Sequence, residues 1–133
     1  MTSFSFQTTP SVLVEIGGTA KIGAHLAARR CRKVAFITDA GILEHGLADA
    51  ALAGFKAAGL DVWTFADVQP DPPEGMILSA VEHARDAGVD CVASVGGGSS
   101  LDTAKLIALL LNSDQPMADM YGVNLARGER LPL

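Results

Sequence analysis

Two kinds of apolar spacing alternate along the chain. Short β-branched runs at Val12–Ile16, Val34–Thr38, Val62–Phe65 and Cys91–Val95 predict buried strands, and Phe4-Ser5-Phe6 alternates as a short edge strand would. Between them lie stretches with helical spacing: residues 20–30, where Ile22 and Leu26 are one turn apart, then 47–58, 74–87 and 100–111. Gly59 and Gly88 fall just past helix ends, where a left-handed residue closes the last turn. Pro72 and Pro73 stand just ahead of the third helix, where a missing N–H costs nothing. Strand and helix repeated at this spacing predict βαβ units. The fold class is therefore α/β: a mainly parallel sheet with helices on both faces, in one domain.

Composition narrows the function classes. The chain has 133 residues, 49% of them hydrophobic and 19% charged, with a net charge of −5. That is apolar enough to close a single core, so disorder is excluded. The longest uninterrupted apolar run, Leu106–Leu111, is far short of the roughly 20 residues of a membrane span. An acidic pI near 5.0 and few aromatics argue against a nucleic-acid partner. Two cysteines, Cys31 and Cys91, make no disulfide framework, and no charged segment precedes an apolar N-terminal stretch. A cytoplasmic protein with reduced thiols is expected.

In such a sheet, ligands bind beyond the carboxyl ends of the strands, so the segments that follow each strand carry the chemistry. They are Gly17-Gly18-Thr19, Thr38-Asp39-Ala40-Gly41, Val68-Gln69-Pro70-Asp71-Pro72 and Gly96-Gly97-Gly98-Ser99-Ser100. The last opens a helix. Three glycines let a ligand approach the backbone closely, and a helix start offers unpaired N–H groups to an anion. Ser99 and Asp102 also fit a capping box, S-x-x-D, which would explain both without a ligand. Asp39 has two readings as well: its carboxylate could accept from both hydroxyls of a ribose, or cap the next helix. Neither the G-x-x-x-x-G-K-[ST] loop nor G-x-G-x-x-G is present, because Leu101 stands where the latter needs its last glycine.

The run Gly96-Gly97-Gly98-Ser99-Ser100-Leu101-Asp102-Thr103-Ala104-Lys105 resembles the G-G-G-S-x-x-D-x-A-K signature of the iron-containing (group III) alcohol dehydrogenases. Thr38–Gly41 resembles that family's T-D-x-G segment and Ala118–Gly122 its D-Y-x-G stretch. Gln69–Pro73 resembles its P-N-P segment, with Asp71 where Asn is usual. The resemblance implies a Rossmann-like, dehydroquinate-synthase-like N-terminal domain that binds a nicotinamide dinucleotide. It places Asp39 at the adenosine ribose, with Asp71 near the adenosine. It puts Gly97, Gly98 and Ser99 at the pyrophosphate and Asp102 toward the nicotinamide, with Gly96 also among the cofactor-binding residues. An aspartate at the ribose implies NAD over NADP, by repulsion of a 2′-phosphate.

The resemblance further implies a homo-oligomer acting on a small alcohol or aldehyde. It also implies a helical domain outside these residues that binds Fe²⁺ (Zn²⁺ in some relatives) through one Asp and three His. His25, His45 and His83 form no i, i+4 pair, so no metal site is expected in residues 1–133, and the chain alone is expected not to turn over alcohol. The apolar Leu131–Leu133 end is expected to await a partner strand outside the chain. Two alternatives stay open: a stand-alone nucleotide-binding module, and a relative such as glycerol dehydrogenase or maleylacetate reductase.

Overall fold

A computed structural model describes residues 3, 4, 6 and 8–133. Three parallel strands, β1 (Lys33–Ile37), β2 (Asp61–Phe65) and β3 (Cys91–Ser94), form a sheet in the order β2-β1-β3. A 3-10 turn at Gly18–Lys21 leads into α1 (Ile22–Ala28). The short α2 (Ala40–Glu44) and α3 (Asp49–Ala57) connect β1 to β2, and α4 (Glu74–Ala87) connects β2 to β3. α5 (Gly98–Leu110) follows β3, and a second 3-10 turn spans Met117–Met120.

The period-2 pattern of the strands divides the core. Val34, Phe36, Cys91 and Ala93 face α1 and α3, around Leu26, Ala51 and Phe55. Ala35, Ile37 and Val92 face α4 and α5, around Ile77, Val81, Ala104 and Ile107. β1 sits in the middle and is buried on both faces. β2 is a half-exposed edge, where Trp63 and Phe65 stack 6.1 Å apart on the α4 side. The chain leaves β1 toward one face and leaves β3 toward the other. Neighbouring parallel strands with diverging exits open a crevice at their carboxyl ends.

The opposite end of the strands is closed by Asp90. Its carboxylate accepts from the backbone N–H of Lys33 (2.9 Å) and of Arg32 (3.0 and 3.1 Å), tying β3 to the start of β1. Burial works to raise its pKa, but the Lys33 and Arg32 N–H groups prevail and hold it below the usual carboxylate value of 3.8. A depressed folded-state pKa means stability that is present above the unfolded value and lost as pH falls through the folded one. Asp90→Ala should cost about 1–2 kcal/mol at pH 7 and flatten the stability profile below about pH 4, read by urea unfolding at several pH values.

Several expectations need correction. Val12–Ile16 is no strand: the segment is extended and unpaired, and Val14 and Ile16 are almost fully exposed. β-propensity makes a strand only where a neighbour supplies hydrogen bonds, and none of the described strands pairs with it. Phe4-Ser5-Phe6 includes Ser5, outside the described residues, and Phe4 and Phe6 are exposed outside any strand. The helix expected over 20–30 divides into the 3-10 turn and α1, and Arg30 ends it with a φ of 65°. Leu131–Leu133 has neighbours within the chain as well: Val92 N–H donates to Pro132 O (2.8 Å) and Leu131 N–H to Ala108 O (2.9 Å). That end already lies along the free edge of β3.

Candidate functional site

The crevice between β1 and β3 is a cleft of about 360 Å³ lined by residues 39–41, 68–70 and 97–100. All three segments read as chemistry-bearing beyond β1, β2 and β3 meet there. Buried Thr38 fixes their spacing: its Oγ1–H donates to Val95 O at 2.7 Å, and its N–H to Phe65 O at 2.9 Å.

At the start of α5 the first helical bond is from Leu101 N–H to Gly97 O at 3.1 Å. The N–H groups of Gly98, Ser99 and Ser100 therefore have no helical partner. Gly97 is the N-cap residue and supplies no side chain. The capping box expected from Ser99 and Asp102 does not form, because the helix begins ahead of it: Ser99 lies inside the first turn, and Asp102 pairs with Lys105 at 2.9 Å on an exposed face. No side chain caps the start of this helix.

The glycines of the run fall into two kinds. A Cβ at Gly97 or Gly98 would meet no protein atom within 4 Å, and Gly97 has an ordinary extended backbone (φ −82°). Nothing in the protein's own packing demands glycine at either position, and both line the open cleft. Gly96 is the reverse. It does not line the cleft, and a Cβ there would lie 2.6 Å from Ser100 Oγ and 3.3 Å from Asp39 Oδ2.

Asp39 sits between β1 and α2. Its Oδ1 accepts from Ile42 N–H at 3.1 Å, so it does cap α2, and its Oδ2 accepts from Ser100 Oγ at 3.3 Å. It also lines the cleft, so the two readings are compatible. A carboxylate has about four lone-pair positions, and two remain open. Asp71 and Asp102 are exposed and lie outside the lining. Asp71 adopts a φ of 48°, which Asn and Asp tolerate better than other side chains, so Asp in place of Asn keeps the turn.

Of the residues singled out in the sequence, Asp39, Gly97, Gly98 and Ser99 line the cleft, and sequence reasoning missed two things. α2 is a single short turn with too few apolar positions to show a period, signalled only by the capping Asp39. The tie from Ser100 to Asp39 spans 61 residues and had no local signal.

The histidines do not converge. His25, His45 and His83 are exposed on α1, at the end of α2 and on α4, and among the described residues none joins a group of three potential metal ligands. The described residues do not fit a metal site of one Asp and three His. Cys31, Asp90 and Cys91 do gather at the pole away from the cleft. There Asp90 is taken up by N–H donors, while burial and the neighbouring Cys31 and Asp90 push the Cys91 thiol up.

The iron-containing alcohol dehydrogenase pattern matches residues 9–133. The chain belongs to that family. It is 31% identical over 129 residues to the NAD-dependent methanol dehydrogenase of Bacillus methanolicus, covering 97% of this chain and 34% of that protein. With long-chain-alcohol dehydrogenase 1 of Geobacillus thermodenitrificans, identity is 40% over 96 residues, 72% of this chain and 24% of that one. The crystal structure of an NADH-dependent butanol dehydrogenase A from Thermotoga maritima superposes with a TM-score of 0.80 at 29% identity, over 90% of this chain and 30% of that one. The chain thus spans about a third or less of the length of these relatives. It corresponds to the N-terminal, Rossmann-like part of an iron-containing alcohol dehydrogenase.

Proposed function

We propose that residues 1–133 form the dinucleotide-binding domain of an NAD-dependent alcohol dehydrogenase, with hydride passing between the cofactor and a small alcohol or aldehyde. One observation carries the reading. A helix start without a side-chain cap and two glycines that packing does not demand share a cleft with a carboxylate.

The pyrophosphate fits against the N–H groups of Gly98 and Ser99, where the α5 dipole favours negative charge. The two open positions of Asp39 accept from the 2′- and 3′-hydroxyls of the adenosine ribose, and its charge repels a 2′-phosphate. NAD is therefore favoured over NADP. Val68, Gln69 and Pro70 form the neighbouring wall, on the side suited to adenosine. When bound, the nicotinamide supplies the hydride acceptor for alcohol oxidation. This chain's part is to bind the cofactor and hold it in one orientation. The family's metal ligands are proposed to lie in a helical domain outside these residues, with Fe²⁺ or Zn²⁺ as the ion. The reading includes a cytoplasmic homo-oligomer without a nucleic-acid or membrane partner; the acidic charge argues against nucleic acid. No described helix is long and apolar enough to cross a membrane.

Asp39→Gly tests the ribose role with little loss at the α2 cap, because glycine at an N-cap costs only a few tenths of a kcal/mol. Wild type should bind NADH more tightly than NADPH by calorimetry. The substitution should narrow that ratio by roughly tenfold, the loss of charge-assisted bonds to a ribose. An unchanged ratio would remove Asp39 from the ribose site.

A further inference from the structure

We infer that Ser100, given room by Gly96, is a positioning residue that holds the Asp39 carboxylate in the orientation that discriminates NAD from NADP. The inference rests on the ribose role proposed above and names what maintains it.

Ser100 lies in the first turn of α5 and is 1% exposed, so its hydroxyl has no solvent to turn to. A helical serine commonly donates back to the carbonyl four residues earlier. Here the Oγ–H instead crosses the crevice to Asp39 Oδ2 at 3.3 Å. Asp39 Oδ1 is held from the other side by Ile42 N–H at 3.1 Å. Two donors on two oxygens fix the plane of the carboxylate and so decide which lone pairs face the cleft. With Ile42 N–H alone, the group keeps a pivot at Oδ1 and Oδ2 swings.

Gly96 completes the device. A Cβ there would lie 2.6 Å from Ser100 Oγ and 2.8 Å from Ser100 Cβ, both closer than real Cβ contacts come. The Ser100 side chain cannot give way easily, since it is buried between α5 and the sheet. The first glycine of the run thus serves Ser100 and Asp39, whereas the second and third face the open cleft.

The test is binding of NADH and NADPH to the 133-residue chain, followed by ligand-detected NMR up to millimolar cofactor, for wild type, Ser100→Ala, Asp39→Gly and the double variant. Ser100→Ala removes one oxygen from a tight site and leaves no clash, and an unchanged amide spectrum away from the cleft checks the fold. It should weaken NADH roughly 3- to 10-fold and narrow the NADH/NADPH ratio, with NADPH changed less than about twofold. In the Asp39→Gly background, Ser100→Ala should have no further effect, because its target is gone.

If Asp39→Gly changes the ratio and Ser100→Ala does not, the positioning role fails while the ribose role stands. Equal effects of Ser100→Ala with and without Asp39 would show a merely structural serine and also overturn it. An Asp39→Gly variant with wild-type preference, or a wild-type chain that binds neither cofactor, overturns the ribose reading and this inference with it.

Discussion

Gly98→Val is expected to abolish most NADH binding while leaving the fold in place. A Cβ at this position meets nothing within 4 Å, and the residue is already the first residue of α5, so the native state has room for the start of a side chain there. Helix propensity changes little and slightly favours valine over glycine, by a few tenths of a kcal/mol. The cofactor is affected far more. Its pyrophosphate must come within about 3 Å of the Gly98 and Ser99 N–H groups, and the valine methyls would project from the backbone at that point into the cleft. Losing two hydrogen bonds to a charged group, each worth about 1.5–3 kcal/mol, amounts to about 3 kcal/mol or more, or roughly 100-fold in affinity. Calorimetric titration with NADH, beside a thermal melt by circular dichroism, separates the two effects. Retained affinity would sink the pyrophosphate assignment. A melting point lowered by ten degrees or more would show that Gly98 serves packing after all.

What could be read from the sequence followed the reach of each signal. β1, β3 and α4 were legible because burial on one or both faces writes a period into consecutive residues, and α4 starts and ends at the residues its spacing indicated. The glycine loop stood out in the sequence because three adjacent glycines are costly unless something needs them. Val12–Ile16 misled because its composition records a preference for strand without recording a partner. Ser99 and Asp102 misled by two residues: the N-cap is Gly97 and the helix starts at Gly98, so the capping spacing falls two positions too deep. The division of labour among the glycines was hidden for a different reason. Whether a Cβ would meet Ser100, as at Gly96, or open space, as at Gly97, depends on residues brought together by the β1–β3 pairing. No local window contains that information.

Among stability effects, the largest is expected at Gly54. α1 and α3 cross at glycines. A Cβ on Gly54 would collide with the Ala20 carbonyl, reaching 3.1 Å from its carbon, and one on Gly23 would lie 2.6 Å from the Gly54 carbonyl carbon and 2.8 Å from Phe55 N. These obstacles are backbone, so no rotamer change relieves them and the helices must move apart. Phe55 moves with α3. It is fully buried and meets Phe36 edge-on at 5.5 Å, so the separation would open the core on that face of the sheet. Alanine also has a favourable side here, gaining about 1 kcal/mol in helix propensity over glycine. Overpacking at a rigid contact costs about 1–3 kcal/mol and occasionally more. With backbone on the far side and a core aromatic displaced, the cost should exceed the gain. Gly54→Ala should then lose about 2–3 kcal/mol net, lowering the melting temperature by roughly 10 °C. Gly75→Ala in α4 is the control: its Cβ meets nothing within 4 Å, so only the propensity gain of up to about 1 kcal/mol applies. Urea unfolding of both variants should therefore show opposite signs. If Gly54→Ala proved as stable as Gly75→Ala, the close crossing of α1 and α3 would not be a feature of the folded protein.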